Sequence, residues 1–559
     1  MPVAPAGAAE KPVNVQLLAI TDFHGYLAAD EGRTIDSPDG PLVVGGAAYL
    51  AGHVERLRTG KKNSILLSVG DDFSGWPDYT QAFANEPTVE FLNRLGLDLS
   101  TAGNHEFDRQ FGFLQRMMDG SCFGTVGVDS CFRDSTGQRF QGARYDYHAA
   151  NITDPRTGEP VLGPYYIAHV SDGSGGTVPV GIISVDTVKT VTSPMSFTGS
   201  GLDFGSEVRA VNTYAAKLQR KGVKAIVVAV HQGGSQEGYF NQCKDPSGPV
   251  FDMAERFSPA VDAIFAGHWH TQFRCMVPDP AGNPRPVMEG AKQGKLISEI
   301  DLAIDPATGD VVRGETRATN HPVIHDVPPV RRVQKMVDYW VGRWQDKRDT
   351  AITTLTDGLS YATGKESPFG NLVADIVYAQ TEAPDAGDAD LALVPPGMVH
   401  GGLSYRAGDD PADADGRVLF EEAWHTAGQA PLVTVSVTGA TLDTILEQQW
   451  QSSGDGTAAH EQLSVSKNVQ YAYDPDRPVG ERVDPEDVVI GGQPLDPDRT
   501  YRVATDAYTV LGKRGFPAFT DYTDAVRQSG PIVLRRAVLH YLRAHDPVTP
   551  PDLGRVTEK

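Results

Sequence analysis

The residues of this chain best suited to chemistry fall in short clusters of aspartate, histidine and asparagine. They are Asp22-Phe23-His24, Gly70-Asp71, Gly103-Asn104-His105-Glu106, His231 and Gly267-His268-Trp269-His270. Carboxylates, imidazoles and an amide carbonyl make a mixed nitrogen and oxygen shell. Such a shell suits Zn, Mn, Fe, Co or Ni, and is too rich in nitrogen for a pure Mg or Ca site. Two metals about 3.5–4 Å apart can clamp the attacking and leaving oxygens of an in-line displacement at phosphorus. Any one cluster alone reads as a turn or a strand end. Their occurrence together, each in the same local setting, points to a two-metal site.

That setting is an apolar run just before each cluster: Val15 to Ile20, Ser64 to Val69, Leu97 to Ala102, Ala225 to Val230 and Val261 to Ala266. Short apolar runs closed by a polar or glycine signal read as buried strands. Polar residues at the carboxyl ends of such strands converge on one edge of a sheet, where α/β proteins place their ligands. Between the runs lie helical candidates: Gly46 to Gly60, Pro87 to Leu95, and Gly205 to Lys221, which opens with Ser206. Residues 139–205 alternate and read as strands and loops. These patterns predict an α/β sandwich with sheets faced by helices.

The order of these motifs resembles that of the calcineurin-like metallophosphoesterases. The variant Gly103-Asn104-His105-Glu106-Phe107-Asp108 is similar to the 5′-nucleotidase branch, which includes UDP-sugar hydrolases, ecto-5′-nucleotidases and 2′,3′-cyclic phosphodiesterases. Glu366-Ser367-Pro368-Phe369-Gly370-Asn371-Leu372-Val373-Ala374-Asp375 looks like the opening of that branch's C-terminal domain. The resemblance implies a four-layer αββα sandwich plus a smaller α/β substrate domain joined by a helix. It implies two divalent metal ions, of which Mg is a further candidate. Asp22, His24, Asp71 and His270 would hold one, and Asp71, Asn104, His231 and His268 the other. His105 would stabilise developing charge on the phosphoryl or leaving oxygen, and Asp108 would orient it.

The resemblance weakens in the second half. The family's segment of polar contacts reads Pro395-Pro396-Gly397-Met398-Val399-His400 here, and its first stacking ring falls on Gly428. Its last motif reads Gly512-Lys513-Arg514-Gly515-Phe516. Substrate contacts are therefore expected from Phe516, Lys365, Arg514, His400 and Asn371, with one ring where the family has two. Trp424, His425 or Tyr361 are candidates to replace the missing ring. A lost ring forfeits about 1–3 kcal/mol of base stacking. The reaction expected is hydrolysis of a phosphomonoester, on a nucleotide or a phosphorylated natural product. The alternatives are a 2′,3′-cyclic phosphodiesterase, a UDP-sugar-type pyrophosphatase, or a non-catalytic extracellular binding protein of the same fold.

At 559 residues the chain exceeds one ordinary core. The expected division is a lead over 1–13 without fixed structure, a metallophosphoesterase domain over 14–325, a linker helix over 326–350 and a substrate domain over 351–555. In the linker, Val330, Val333, Val337, Tyr339, Trp340 and Trp344 keep to helical spacing. In the last domain, 430–437, 487–491 and 499–505 read as strands. Pro368 to Gln380 and Ile532 to Ala544 read as helices, and 382–390 and 453–459 as loops.

The formal net charge of −23 argues against a nucleic-acid partner, since phosphate backbones need basic patches. A small phosphate ester must then be attracted locally, by metals and a few cations. No apolar stretch is long enough to span a membrane. Cys122, Cys131, Cys243 and Cys275 contain no C-x-x-C spacing. Four cysteines allow three pairings, and the short Cys122–Cys131 loop makes one of them most economical. An even count in loop-like settings suits an oxidising compartment. The start, Met1-Pro-Val-Ala-Pro-Ala-Gly-Ala-Ala, lacks the charged and apolar regions of a signal peptide and resembles the stretch just after a cleaved one. The expectation is a secreted, extracellular or cell-wall-associated protein, the alternative being a cytoplasmic protein with a disordered lead.

Overall fold

The ligand-bearing apolar runs form strands, as their patterning predicts. A computed structural model describes residues 11–30, 32–74, 77–192, 201–405, 416–452, 458–527 and 533–559. Six strands matter for the site: β1 (Val13–Ile20), β2 (Ser64–Ser68), β3 (Leu99–Thr101), β4 (Ala225–His231), β5 (Ala263–Ala266) and β6 (Pro284–Gly290). The chain divides into two compact units between Trp344 and Gln345.

The first unit is built on two six-stranded sheets. In one, β1, β2 and β3 run parallel and adjacent, with Ile20 opposite Ser68 and Ser68 opposite Ser100. In the other, β4 and β5 run parallel with Val230 opposite Ala266, and β5 pairs β6 with Ala266 opposite Glu289. Parallel pairing brings the carboxyl ends of neighbouring strands to one edge, so ligands far apart in sequence meet there. Alternate residues of the two sheets interlock in one core: Val15, Leu17 and Ala19 from β1, Ile65 and Leu67 from β2, and Ala225, Val227 and Ala229 from β4. The opposite face of the second sheet is covered by the helix Glu207–Arg220 and by Pro249–Ala254. This is the helix–sheet–sheet–helix layering expected of the family. Cys122 pairs with Cys131 and Cys243 with Cys275, leaving no free thiol among the described residues.

The helices obey local signals. Ser206 caps Glu207–Arg220 by accepting from the Arg209 N–H. The helix Glu86–Leu95 carries Pro87 in its first turn, where the missing N–H costs nothing. The helix Arg331–Arg348 buries Val333, Met336, Val337, Trp340 and Trp344 along one stripe, and Tyr339 is only half-buried beside it. The expected unstructured lead over 1–13 is too long, because Val13 already pairs with Ile304. Residues 1–10 lie outside the described residues.

The second unit holds a five-stranded mixed sheet formed by Ser464–Val465, Leu391–Val394, Thr500–Asp506, Leu432–Thr438 and Asp524–Arg527. Leu391, Leu393, Val433, Val435, Tyr501 and Val503 pack with Leu442 and Ile445 of the helix Gly439–Glu447. Two further helices, Pro368–Thr381 and Leu534–Ala544, correspond to the expected ones. Ile532 and most of the 453–459 loop lie outside the described residues. No described helix is long and apolar enough to cross a membrane.

Candidate metal centre

Seven predicted ligands of the first unit converge at the carboxyl edges of its two sheets. Asp22 and His24 come just after β1, Asp71 after β2, and Asn104 after β3. His231 ends β4, and His268 and His270 come after β5. Asp22, His24 and His270 form one group of possible metal ligands, and Asp71, His231 and His268 a second, with donor atoms within 4.8 Å of one another in each. Asp71 stands between them: its Oδ2 is 3.1 Å from His231 Nε2 and 3.9 Å from His24 Nε2. Asn104 Oδ1 lies 3.2 Å from His231 Nε2 and 2.7 Å from His268 Nδ1.

The arrangement makes sense around cations. His231 Nδ1 donates to the Val69 carbonyl at 2.8 Å; burial would lower this imidazole, but Asp71 outweighs it and raises it well above its usual range, so its Nε2 carries a proton as well. That N–H faces Asp71 Oδ2 and Asn104 Oδ1, both acceptors, a place that a metal cation could take. In the other group, the Nε2 atoms of His24 and His270 approach to 3.1 Å, with Asp22 Oδ1 at 3.3 Å from His270. Carboxylates and ring nitrogens gathered this closely in a buried site suit a positive centre between them, a proton or a metal ion. Burial lowers His24 to about 3 and His268 to about 4, keeping both in the neutral form that binds metals. Burial alone would raise Asp71, but His231 and His105 outweigh it and hold its carboxyl well below the usual range. Both carboxylates and the four imidazoles can thus serve a pair of divalent metals, His231 by giving up its proton.

The backbone is bent to this purpose. Asp22, His24, Asp71, His268 and His270 have φ of 49°, 51°, 54°, 75° and 61°. Non-glycine residues seldom adopt this left-handed region, and such positions concentrate at functional sites. Gly103 explains its place in the motif: a Cβ there would meet Asp71 Oδ1 at 2.4 Å and the Asp71 amide nitrogen at 2.7 Å. Only a bare backbone lets the Asp71 and Asn104 loops touch.

His105 is not grouped with the ligands. Its Nδ1 bonds Asp108 Oδ2 at 2.7 Å, and its backbone N–H donates to Asp71 Oδ1 at 2.9 Å. Burial pulls the imidazole down, but Asp108 and Asp71 outweigh it and raise it to about 10. A cationic donor therefore stands beside the ligand cluster.

Further buried groups surround this centre. Glu106 accepts from the backbone N–H groups of Asp71, Asp72 and Gly103 at 2.8, 2.9 and 2.7 Å. Asp72 is held by the hydroxyls of Ser68, Ser100 and Tyr147 at 2.5, 2.7 and 2.9 Å. Lys292 Nζ lies 3.2 Å from His270 Nδ1. Glu289 is fully buried on β6. Asp72 sits next to a ligand and so had a sequence signal. Lys292 and Glu289 had none.

These geometries coincide with two family models. Residues 15–272 match the calcineurin-like phosphoesterase model, and residues 351–521 match that of the 5′-nucleotidase C-terminal domain. The chain belongs to the calcineurin-like phosphoesterases with a 5′-nucleotidase C-terminal domain. These are dinuclear metal-dependent phosphoester hydrolases. Among similar proteins, an endonuclease of Bacillus subtilis is 28% identical over 71% of this chain and 30% of its own length. A cell wall protein of Listeria monocytogenes is 26% identical over 92% of this chain and 65% of its own length. The chain thus spans less than two thirds of each of these two relatives. A 5′-nucleotidase precursor of Thermus thermophilus shares the fold, with a TM-score of 0.52 at 22% identity over 98% of this chain and 99% of that one.

The residues predicted to hold the leaving group belong to the second unit, and two of them need correction. Phe516 is completely buried in that unit's core with Phe519 and Val510, so it offers no face to a base. Asn371 is equally buried, donating to Glu366 Oε1 at 2.8 Å and to the Asp552 carbonyl at 3.3 Å. Both are structural in this arrangement. Arg514 is spent on Asp506, at 2.6–3.1 Å, and on the Gly397 carbonyl. His400 and Lys365 are exposed, and His400 is lowered by burial and then by Arg535 and Arg514. Of the suggested replacement rings, Trp424 is buried under Arg535 at 4.6 Å. His425 is exposed, and the Tyr361 hydroxyl donates to the Pro396 carbonyl at 3.2 Å.

Proposed function

We propose that this chain is a secreted phosphatase that hydrolyses a phosphomonoester with two divalent metals. The carrying observation is the convergence of Asp71, Asn104 and His231, and of His24, Asp22 and His270, in one buried site. Bound there, the metals would polarise the phosphoryl group and lower the pKa of an attacking water. The protein's own part is orientation and proton supply. Asp71 ties the two ligand groups into one. Asp108 holds His105 by Nδ1, leaving its other ring nitrogen to donate to an oxygen that gains charge. Glu106 fixes the loops of Asp71 and Asn104 through three amides.

The substrate class is a nucleotide or a phosphorylated natural product whose leaving group is not gripped by paired rings. Gly428 in place of one ring and the burial of Phe516 support this. Two disulfides and the cell-wall relative support an extracellular setting. The test is a phosphate-release screen over nucleoside monophosphates, sugar phosphates and phosphorylated antibiotics with Mn²⁺, Zn²⁺, Co²⁺ or Mg²⁺. Metal-loaded protein that releases phosphate from none of them would instead be a binding protein of this fold.

A further inference from the structure

Glu289 is a fully buried acidic side chain that makes no ion pair among the described residues. It is absent from both ligand groups. Burying a carboxyl group is costly unless its oxygens are satisfied. Here both are satisfied by backbone amides of two different loops. The Thr271 N–H donates to Oε1 at 3.0 Å, and the Gly234 N–H to Oε2 at 3.4 Å. Thr271 is the residue directly after His270, and Gly234 lies three residues after His231.

The two loops are joined at further points. The Thr271 hydroxyl donates to the Gly234 carbonyl. Gly233 packs so closely that a Cβ there would stand 2.8 Å from Glu289 Oε2. Glu289 itself sits opposite Ala266, where β5 gives way to the loop that carries His268 and His270. That loop holds both histidines at positive φ, a conformation the backbone does not keep unaided. One carboxylate thus spans the loops that deliver His231, His268 and His270, which belong to both ligand groups.

We infer that Glu289 is a positioning residue for both metals, setting the separation and angle of three histidine ligands through the amides of Gly234 and Thr271. It is the counterpart on the second sheet of Glu106 on the first. This rests on the metal-centre reading above. A carboxyl group suits this place because each of its two oxygens receives a backbone amide. A glutamine offers one carbonyl and an NH₂ that cannot accept.

The experiment is a titration of metal-free protein with Zn²⁺ alone, in competition with a chelating indicator. Wild type, E289A, E289Q, T271V and D71N are compared, and circular dichroism of each metal-free protein reports the fold. Outer partners of metal ligands typically change affinity 10–100-fold. E289A is expected to bind both ions that much more weakly while remaining folded. E289Q should fall between E289A and wild type, and T271V should weaken binding in the same direction. A folded E289A with wild-type affinity at both sites overturns the inference, because a merely structural role would lower thermal stability and leave affinity alone. Should E289A not fold, E289Q decides, and unchanged affinity there overturns it equally. Wild type that binds fewer than two Zn²⁺, with D71N indistinguishable from it, would overturn the metal-centre reading itself.

Discussion

Replacing His105 by alanine separates catalysis from metal binding, and the structure says how far. The imidazole touches Asp108 through Nδ1 at 2.7 Å and is in neither ligand group. What links residue 105 to Asp71 is its backbone N–H, at 2.9 Å, and alanine keeps that bond. His105→Ala should therefore retain both metals. Loss of a positioned proton donor costs roughly 10²–10⁴ in rate, or about 2.7–5.4 kcal/mol at 1.36 kcal/mol per decade. Asp108→Asn gives a graded control. It keeps a neutral hydrogen bond in place of a charge-assisted one, a difference of about 1–1.5 kcal/mol. That is a loss of roughly 5–13-fold. The assay is kcat on a chromogenic phosphomonoester at saturating metal, with metal content by elemental analysis and fold by circular dichroism. His105→Ala within a few-fold of wild type, or an Asp108→Asn slower than His105→Ala, would refute the reasoning. Loss of metal from His105→Ala would make His105 a ligand instead.

The same geometry bears on four other measurements. Asp71→Asn, which removes a charge shared by both ligand groups, should lower metal content at both sites in elemental analysis, and a stoichiometry equal to wild type would defeat the bridging assignment. Thiol titration of denatured, unreduced protein made under oxidising conditions should find none of the four cysteines free, and four free thiols would remove the disulfide support for secretion. Phe516→Ala should cost about 3–5 kcal/mol of stability in the second unit, read as a shift in denaturation midpoint; a normal midpoint with a raised KM would return Phe516 to the substrate. Kinetics on AMP, GMP, CMP and UMP should show little base preference, and a sharp preference with kcat/KM above about 10⁶ M⁻¹s⁻¹ would place an aromatic clamp elsewhere.

The ligand strands are legible in the sequence because burial on both faces leaves a continuous apolar run, and each run stops where a polar ligand begins. That Asp22, His24, Asp71, Asn104, His231, His268 and His270 come together in space is legible for that reason, since their types and settings both carry signal. Phe516 cannot be placed in the same way. A glycine before a phenylalanine says nothing about which way the ring turns, and here it turns into the core. Asn371 misleads similarly, since a buried asparagine that serves Glu366 looks in sequence like one that serves a ligand. Glu289 is invisible for the opposite reason. A single glutamate in a strand reads as solvent-facing, and only the register of β5 and β6 shows it at the edge that holds the site.

The left-handed ligand positions have a consequence for the lifetime of the molecule. Each such residue costs on the order of 1 kcal/mol, and five of them sit in loops that metal coordination would draw together. Whatever binds the folded state alone stabilises it by mass action. Dissolved metal is then a tether as much as a reagent. Where chelators compete for it, these loops should be the first to exchange their amide hydrogens and the first to meet a protease. Outside a cell, the supply of divalent ions would set how long the protein persists before it sets how fast it works.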